Sequence, residues 1–254
     1  MRIRFVPVAL VAAAALALPA APTTPAAAVT APPAPRPPAH AVRPQPAPVP
    51  VQAAPAPATT GFVDHYVQRI ATSDRVVFIT IDDGTYKDPA FLARVRRTHL
   101  PVSVFLTNAA AAAGHGVDYF RALQSAGAVI EDHTLHHPYL TRVSPAVRRE
   151  EICGAADKDL RSFGRRAQLL RPPYGAWDAS VLATAKACRL HAVVGWDAVM
   201  PERGGLQTWN GSGRLKPGDI VLLHFLPGLD GQIARLLAVI RAQHLRVALI
   251  EDYL

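Results

Sequence analysis

Cysteine is scarce in this chain of 254 residues, which contains only Cys153 and Cys188. Neither residue has the close spacing of a zinc-thiolate motif, and neither has an acid–base partner beside it in the sequence. A thiol-based metal site and a catalytic cysteine are therefore excluded. In an exported protein the two cysteines either form one disulfide or remain two separately buried thiols, and the sequence leaves both options open.

Acidic residues are absent from the first 60 positions, so all 19 of them lie in the rest of the chain. Arg2 and Arg4 precede an apolar stretch over residues 5–18, which is followed by small residues and proline, the layout of a secretory signal. This stretch is too short for a stable membrane span, and a retained signal anchor is the alternative. We predict a signal peptide over residues 1–27 and a secreted or cell-wall-associated protein.

Residues 28–60 consist almost entirely of Ala, Pro, Thr and Val. Such a composition cannot build a hydrophobic core, so we predict a disordered, Pro/Ala-rich linker that acts as an extended tether or a plain spacer. The remaining residues, 61–254, suffice for one α/β domain.

A strong charge of one sign is also missing. The formal net charge is +8, but four of the arginines precede residue 61, so the predicted domain carries only +4. This excess is too small and too scattered to indicate nucleic-acid binding. The pairs at 148–149 and 165–166 are interpreted as solvated helix faces.

Five short apolar runs are present, and each leads into a polar or aromatic residue that could take part in chemistry. The runs lie at 76–81, 128–130, 168–170, 192–194 and 220–223, and lead into Asp82, Asp132, Arg171, Trp196 and His224. Helical segments separate them, and parallel strands of an α/β barrel place such residues at one rim. We predict an enzyme with an irregular (β/α) barrel of about seven parallel strands.

The order of four motifs resembles the polysaccharide deacetylases of carbohydrate esterase family 4, also called the NodB homology domain. The motifs are TIDDG at 80–84, HxxxH at 133–137, RPPY at 171–174 and LLH at 222–224, and the likeness spans roughly residues 75–254. Each motif is weak alone, but the four in this order form a specific signal. The resemblance implies that residues 61–254 are a metal-dependent catalytic domain acting on acetylated polysaccharides.

The resemblance makes Asp83 a metal ligand. His133 and His137 are four residues apart, which places two imidazoles on one side of a turn, and Pro138 disfavours a continued helix. Together they form a two-His, one-carboxylate set for a divalent cation. We expect zinc, and cobalt, nickel and manganese also fit. No Glu follows His133, so the metalloprotease helix pattern is excluded.

The catalytic residues are also assigned by resemblance, with Asp82 as the general base, Arg171 as the residue that orients it, and His224 as the general acid. Asp82 and Asp83 would point to opposite faces of a continued strand. Both can face one site only if the strand ends there, and Gly84 supplies the turn.

Four further residues are assigned to the substrate or to the oxyanion. The resemblance implies that backbone N–H groups near Tyr174 hold the oxyanion and that Leu222 lines the acetyl pocket. Trp196 and Asp197 complete this set at the end of the fourth apolar run.

The chain departs from the family pattern at Val199, where the family usually has Asp three residues after the strand-end Trp196. We expect Asp197 to compensate by reaching His224, with Trp209 as a partial substitute. Asp132 also stands where the family has Asn before the first histidine.

The sequence thus predicts a secreted N-deacetylase of amino-sugar polymers, with peptidoglycan N-acetylglucosamine as the first expected substrate. Chitin oligomers and O-acetylated xylan are alternatives. The rival hypothesis, motivated by Val199, is a cell-wall glycan-binding protein that keeps the metal but has lost catalysis. A monomer without a stable membrane span is expected.

Overall fold

The computed structural model describes residues 61–254. The predicted signal peptide at 1–27 and the predicted linker at 28–60 lie outside the described residues. None of the helices in residues 61–254 combines the length and the apolar character needed to cross a bilayer.

The described part of the chain contains ten strands, six α-helices and two short 3-10 turns. The strands are β1 (Tyr66–Val67), β2 (Val76–Asp83), β3 (Ser103–Leu106), β4 (Val129–Asp132), β5 (Leu169–Leu170), β6 (Ala192–Val194), β7 (Ala198–Val199), β8 (Gln207–Thr208), β9 (Ile220–His224) and β10 (Arg246–Ala248). The helices are α1 (Pro89–Thr98), α2 (Asn108–Ala112), α3 (Gly116–Ser125), α4 (Pro145–Phe163), α5 (Ala179–Ala187) and α6 (Leu229–Ala242). The 3-10 turns are Pro173–Gly175 and Ile250–Asp252.

The strands form one curled sheet in the order β1-β6-β5-β4-β3-β2-β9-β7-β8, and β10 pairs with the start of β2. Eight of the nine strand pairings in residues 61–254 are parallel, and only β7 with β8 is antiparallel. Only residues 195–197 separate β6 from β7, although the two strands lie near opposite ends of this order. The sheet must therefore curl back on itself, which confirms the predicted irregular α/β barrel.

The sheet has more strands than the seven expected. The additional strands β1, β7 and β8 are two residues long each. A run of two residues cannot display an alternating pattern, so the sequence gives no signal for them.

The side chains of β2 point alternately to the helix side of the sheet and to the barrel interior. Val77, Ile79 and Ile81 pack into the cluster that also contains residues of α1, α3 and α6. Val76 and Phe78 pack into a second cluster with residues of several other strands, and this cluster fills the interior. Because side chains alternate along a strand, the same inner row continues through Thr80 to Asp82 at the carboxyl end of β2.

Ser144 followed by Pro145 predicts the start of a helix, and Gly164 predicts its end. Helix α4 confirms both predictions. The Ser144 side chain accepts a hydrogen bond from the Val147 N–H at 3.3 Å, and Pro145 occupies the first turn. Gly164 ends the helix with a φ of 71°, a conformation that favours glycine.

The two cysteines, whose pairing the sequence left open, form a disulfide. Cys153 lies in α4, and Cys188 directly follows α5. The bond therefore ties two neighbouring helices together and closes a loop with a sequence separation of 35.

Replacing both cysteines with serine should lower the free energy of unfolding by about 4 kcal/mol, because the unfolded chain loses a cross-link over a loop of this length. Urea unfolding of the oxidised parent and of the double variant measures the difference. The parent under reducing conditions is the control and should match the variant. Equal unfolding midpoints for the variant and the oxidised parent would contradict the prediction.

Candidate metal centre

The end of β2 supplies two adjacent carboxylates. Asp83 has a φ of 78° and Gly84 a φ of 84°, so the extended geometry stops at Asp83. This backbone turn removes the alternation that would send the two side chains to opposite faces. A Cβ atom on Gly84 would lie 2.9 Å from both Leu106 and Phe120, so the turn also requires glycine for space.

The two histidines lie in the loop that follows β4, and helix α2 holds this loop. The first N–H groups of α2, those of Asn108 and Ala109, donate to the carbonyl oxygens of Thr134 and Leu135 at 3.1 and 2.9 Å. The first N–H groups of a helix lack partners within the helix, so the loop satisfies them while it is itself fixed.

Within this loop His133 and His137 turn toward each other. Thr134 and His137 have positive φ values of 70° and 64°, and the Thr134 N–H donates to Asp132 Oδ1 at 2.7 Å. The expectation that the HxxxH segment is not a continued helix is confirmed.

Asp83, His133 and His137 bring three ligand atoms together. The two Nε2 atoms are 3.1 Å apart, and Asp83 Oδ1 lies 3.5 Å from His133 Nε2 and 3.4 Å from His137 Nε2. Ligands at about 2.0–2.1 Å from a tetrahedral metal are about 3.4 Å from one another. The spacing of these atoms therefore fits a metal ion at their centre, and this set could hold one.

The orientation of His133 is fixed by Arg171. His133 Nδ1 lies 2.6 Å from the Arg171 carbonyl oxygen, which can only accept, so Nδ1 carries the proton and Nε2 keeps its lone pair. Burial also lowers the pKa of His133 well below its ordinary value, which favours the neutral imidazole that metals bind.

The Arg171 side chain is fully buried and binds Asp82. Its Nη1 donates to Asp82 Oδ1 at 2.8 Å and to Thr80 Oγ1 at 2.7 Å, and its Nη2 donates to the Gly195 carbonyl oxygen at 2.8 Å. The guanidinium also lies 4.2 Å from the centre of the Phe105 ring. The other oxygen, Asp82 Oδ2, lies 3.8 Å from His133 Nε2. One oxygen of Asp82 is thus held by the arginine while the other faces the metal ligands.

His224 and Leu222 lie beside this pair on strand β9. In the parallel register, Thr80 is opposite Leu222 and Asp82 is opposite His224. Residues opposite each other in a sheet share a face, so Leu222 and His224 line the same inner row as Thr80 and Asp82. Leu222 is buried, and His224 is partly exposed at the rim.

Tyr174 forms part of the mouth of the site. It has a φ of 62°, its ring is 4.6 Å from the His137 ring, and it stacks on Tyr139 at 3.9 Å. The guanidinium of Arg142 lies 4.5 Å from the centre of the Tyr139 ring. The sequence offered no signal for Tyr139, because a single tyrosine in a loop does not identify its partner.

Left-handed backbone conformations concentrate at this centre. Among residues 61–254, the non-glycine residues with positive φ at the site are Asp83, Thr134, His137 and Tyr174, and the other three are His99, Arg189 and His244. The latter three follow the ends of helices, where this conformation is common. The former four lie in the loops that carry the site, where such strain indicates a constrained geometry.

The expectation that Asp197 reaches His224 is wrong. Asp197 Oδ1 accepts from the Ile220 N–H at 3.0 Å, so it lies at the start of β9, whereas His224 lies at its end. Four residues of strand span about 13 Å. The physical reason is that the chain leaving β6 crosses to the first residues of β9 rather than stopping at the rim.

Trp209 lies beside Asp197, and Trp196 lies near Arg171. The backbone N–H of Trp209 donates to the Asp197 carbonyl oxygen at 3.1 Å. Trp209 therefore lies beside Asp197 and cannot replace the missing family carboxylate near His224 either. Trp196 packs against the interior cluster, and the Arg171 guanidinium lies 5.8 Å from its ring centre.

Two buried carboxylates, Asp132 and Asp159, lie behind the histidine loop, and sequence reasoning missed Asp159. Asp159 takes the next place in the buried stripe of α4 that contains Ile152, Ala155 and Ala156, and an acid in such a stripe is the signal that could have found it. Burial raises the pKa of Asp159 to about 7. Burial and then the like charge of Asp159 raise the pKa of Asp132 well above its ordinary value.

The chain belongs to the polysaccharide deacetylase family, whose sequence profile matches residues 69–193. A chitooligosaccharide deacetylase of Bradyrhizobium sp. is 32% identical over 159 residues, covering 59% of this chain and 70% of that protein. An uncharacterised protein of Streptomyces coelicolor is 41% identical over 192 residues, covering 74% of this chain and 76% of that protein.

Solved structures of family 4 carbohydrate esterases share the fold. A peptidoglycan N-acetylglucosamine deacetylase matches with a TM-score of 0.64 at 20% identity, covering 74% of this chain and 92% of that chain. A Bacillus anthracis protein described as a pseudoenzyme of this family matches with a TM-score of 0.65 at 15% identity, covering 76% of this chain and 69% of that chain.

The Asp83→Asn variant should lose divalent-cation affinity on the order of 100-fold or more, because a neutral amide replaces a charged ligand. Asn tolerates the positive φ at this position, so the fold should remain. Elemental analysis after dialysis measures the bound metal, and circular dichroism checks the fold. Asp82→Asn is the matched control and should retain the metal. Full metal occupancy in Asp83→Asn would refute the ligand assignment.

A second prediction concerns Asp197, whose pKa is raised above its ordinary value by burial and by neighbouring Asp219. The folded chain keeps a proton on this group at pH values where the unfolded chain has released it. The stabilising contribution is therefore present at low pH and lost as the pH rises through the folded-state pKa. Asp197→Asn should reduce the fall in unfolding free energy between about pH 5 and pH 8.

Urea unfolding across this pH range tests the Asp197 prediction, with Asp157→Asn as an exposed control that should keep the parent's slope. Because Asp197 does not reach His224, the alkaline limb of the pH–rate profile should stay in place in Asp197→Asn. An unchanged stability slope in Asp197→Asn would contradict the first expectation, and a displaced alkaline limb the second.

Proposed function

We propose that this chain is a secreted, metal-dependent N-deacetylase of amino-sugar polymers, with peptidoglycan N-acetylglucosamine as its substrate. The observation that carries the proposal is the placement of an arginine-held carboxylate, Asp82, beside the Asp83, His133 and His137 donor set. Export is supported by the layout of residues 1–27, and an exported deacetylase would meet wall polymers. The likeness to deacetylases of chitooligosaccharide and of peptidoglycan N-acetylglucosamine supports the substrate class.

Asp83, His133 and His137 would hold the metal, which we propose to be zinc, since two imidazoles and one carboxylate are ligands that zinc prefers. When bound, such a cation supplies Lewis acidity, which polarises an acetyl carbonyl and lowers the pKa of a water. The three protein ligands leave room in a four-coordinate geometry for one further ligand.

Asp82 acts as the general base in this proposal. Its Oδ2 faces the metal ligands and takes a proton from the attacking water, whose oxygen then bonds to the acetyl carbon. Its Oδ1 is held by Arg171 at 2.8 Å, so the carboxylate stays in one orientation and its charge is balanced.

His224 acts as the general acid that completes the reaction. It shares the inner face with Asp82 and donates a proton to the leaving nitrogen as the carbon–nitrogen bond breaks. The products are a free amine on the sugar and acetate. Leu222 precedes His224 by two residues on the same face of β9 and lines the acetyl pocket. The backbone near Tyr174 helps to hold the oxyanion.

The rival function is glycan binding without catalysis. Two observations motivate it: Val199 lies opposite Leu222 where the family pattern has an acid, and a family pseudoenzyme shares the fold. Asp82 and His224 lie in one inner row, and Arg171 binds Asp82. This arrangement favours catalysis, because a binding protein needs no such base and acid.

Acetate release from a panel of N-acetylated and O-acetylated glycans tests the proposal. The panel contains peptidoglycan, chitin oligomers and acetylated xylan, each with zinc and with a chelator. We expect zinc-dependent release from peptidoglycan. Release only from xylan would make the chain an O-acetyl esterase, and binding to peptidoglycan without release from any substrate would establish the rival.

Asp82→Asn should keep the metal and lower kcat on the order of 10²–10⁴-fold, because the proton acceptor is removed while all three metal ligands remain. Acetate release at saturating zinc, together with elemental analysis, measures both effects. Asp157→Asn, which changes an exposed acid in the same way, is the control and should keep parental turnover. Near-normal turnover in Asp82→Asn would show that another group is the base.

A further inference from the structure

Three buried oxygen-bearing side chains lie beside the histidine loop, and none of them is a ligand in the metal centre described above. Asn108 begins α2, Asp132 ends β4, and Asp159 lies in α4, and their exposed fractions are 3%, 0% and 0%. Helix α4 packs against both β4 and α2. The cluster, called here the oxygen cluster, therefore joins three elements of the fold.

Each side chain of the oxygen cluster uses one polar atom and leaves another without a partner. Asn108 Nδ2 donates to Asp159 Oδ1 at 2.7 Å, and Asp132 Oδ1 accepts from the Thr134 N–H at 2.7 Å. The remaining atoms, Asn108 Oδ1, Asp132 Oδ2 and Asp159 Oδ2, are buried and have no hydrogen-bond partner within residues 61–254. The amide oxygen and any ionised carboxylate oxygen can only accept, and one proton carried on a carboxyl group can satisfy only one of the other two atoms, so a single shared proton leaves at least one atom without a partner.

The fully buried Glu131 shows how this protein otherwise satisfies an interior carboxylate. It accepts from Arg165 Nη1 at 2.9 Å and from the N–H groups of Gln168 and Leu169 at 2.6 and 2.7 Å. The oxygen cluster has no such set of donors. Buried acceptors without partners cost free energy, and buried charges without compensation cost more.

The basic side chains nearest to the oxygen cluster are engaged elsewhere. Arg165 donates to the Ile130 carbonyl oxygen and to Glu131, and Arg166 donates to Asp157 Oδ1 at 3.1 Å. Both arginines and Lys158 act on Asp159 only through longer-range charge. Within residues 61–254, no cationic side chain therefore donates a hydrogen bond to the three remaining oxygens.

A water molecule would supply hydrogen bonds to only some of the three unpartnered oxygens. It could donate to two of the three oxygens but would leave the third unpaired. A divalent cation would satisfy all three oxygens and balance both charges. Two carboxylates and one amide carbonyl, with no nitrogen or sulfur donor, form the ligand set of a hard cation.

We propose that Asn108 Oδ1, Asp132 Oδ2 and Asp159 Oδ2 hold a structural calcium ion, distinct from the deacetylase metal at Asp83, His133 and His137. The two centres differ in chemistry, since one offers only oxygen and the other offers two imidazole nitrogens. The calcium joins α2, β4 and α4, and α2 and β4 carry the contacts that fix the histidine loop.

Calcium binding to the zinc-loaded protein tests the proposal directly. Zinc-saturated protein is dialysed to equilibrium against buffer containing calcium, and both metals are counted by elemental analysis. The variants are Asp159→Asn, which removes one carboxylate of the cluster, and Asp157→Asn, which removes an exposed carboxylate two residues away. We expect about one calcium per chain in the parent and in Asp157→Asn, and a loss of most of it in Asp159→Asn.

Thermal unfolding supplies a second readout in the same proteins. The Tm of the parent and of Asp157→Asn should rise with calcium concentration, since calcium binds the folded chain, whereas the Tm of Asp159→Asn should not. A parent that binds no calcium beyond its zinc overturns the proposal, and so does an Asp159→Asn variant that binds calcium as the parent does. If Asp159→Asn does not fold, the calcium count of the parent decides. None of these measurements depends on deacetylase activity.

Discussion

The buried guanidinium of Arg171 is the interaction on which the rest of the site depends. Its side chain holds Asp82 Oδ1, Thr80 and the Gly195 carbonyl oxygen, while its own carbonyl oxygen accepts from His133 Nδ1. A single residue thus fixes the orientation of the proposed base and the tautomer of a metal ligand. A buried cation of this kind is tolerated only when it is paired, so removing Asp82 or Arg171 alone would leave the other charge uncompensated. The two prolines that follow Arg171 restrict the backbone conformation at this point of the chain, which helps to hold Arg171 in one position.

The sequence predicts the features of the fold and site that depend on local pattern. The apolar run before Asp82, the Ser144 cap of α4 and the turn at Gly84 each follow from the chemistry of neighbouring residues, and the structure confirms them. The inner position of Thr80 could have been read from alternation with Asp82. Such features require no knowledge of distant parts of the chain.

Features that depend on register between distant segments could not be predicted in this way. Asp197 was expected at the rim because it follows an apolar run, but its strand partner is Ile220 at the other end of β9. A barrel staggers its strands, so the level that a strand end reaches depends on closure of the whole sheet. The oxygen cluster shows the same limit, because Asn108, Asp132 and Asp159 belong to three elements that are connected only by the packing of α4 on α2 and β4.

The two adjacent carboxylates at the end of β2 illustrate how environment, rather than residue type, separates chemical roles. Asp82 lies in the inner row, where its side chain is 3% exposed and bound to a guanidinium, whereas the Asp83 side chain is 25% exposed and lies beside two imidazoles. The positive φ of Asp83 is what allows consecutive residues to reach these different surroundings from one strand. A carboxylate held by arginine keeps a free oxygen for proton transfer, and one placed among imidazoles is suited to ligate a cation. The strained turn at the end of β2 therefore places two identical side chains in two different chemical surroundings.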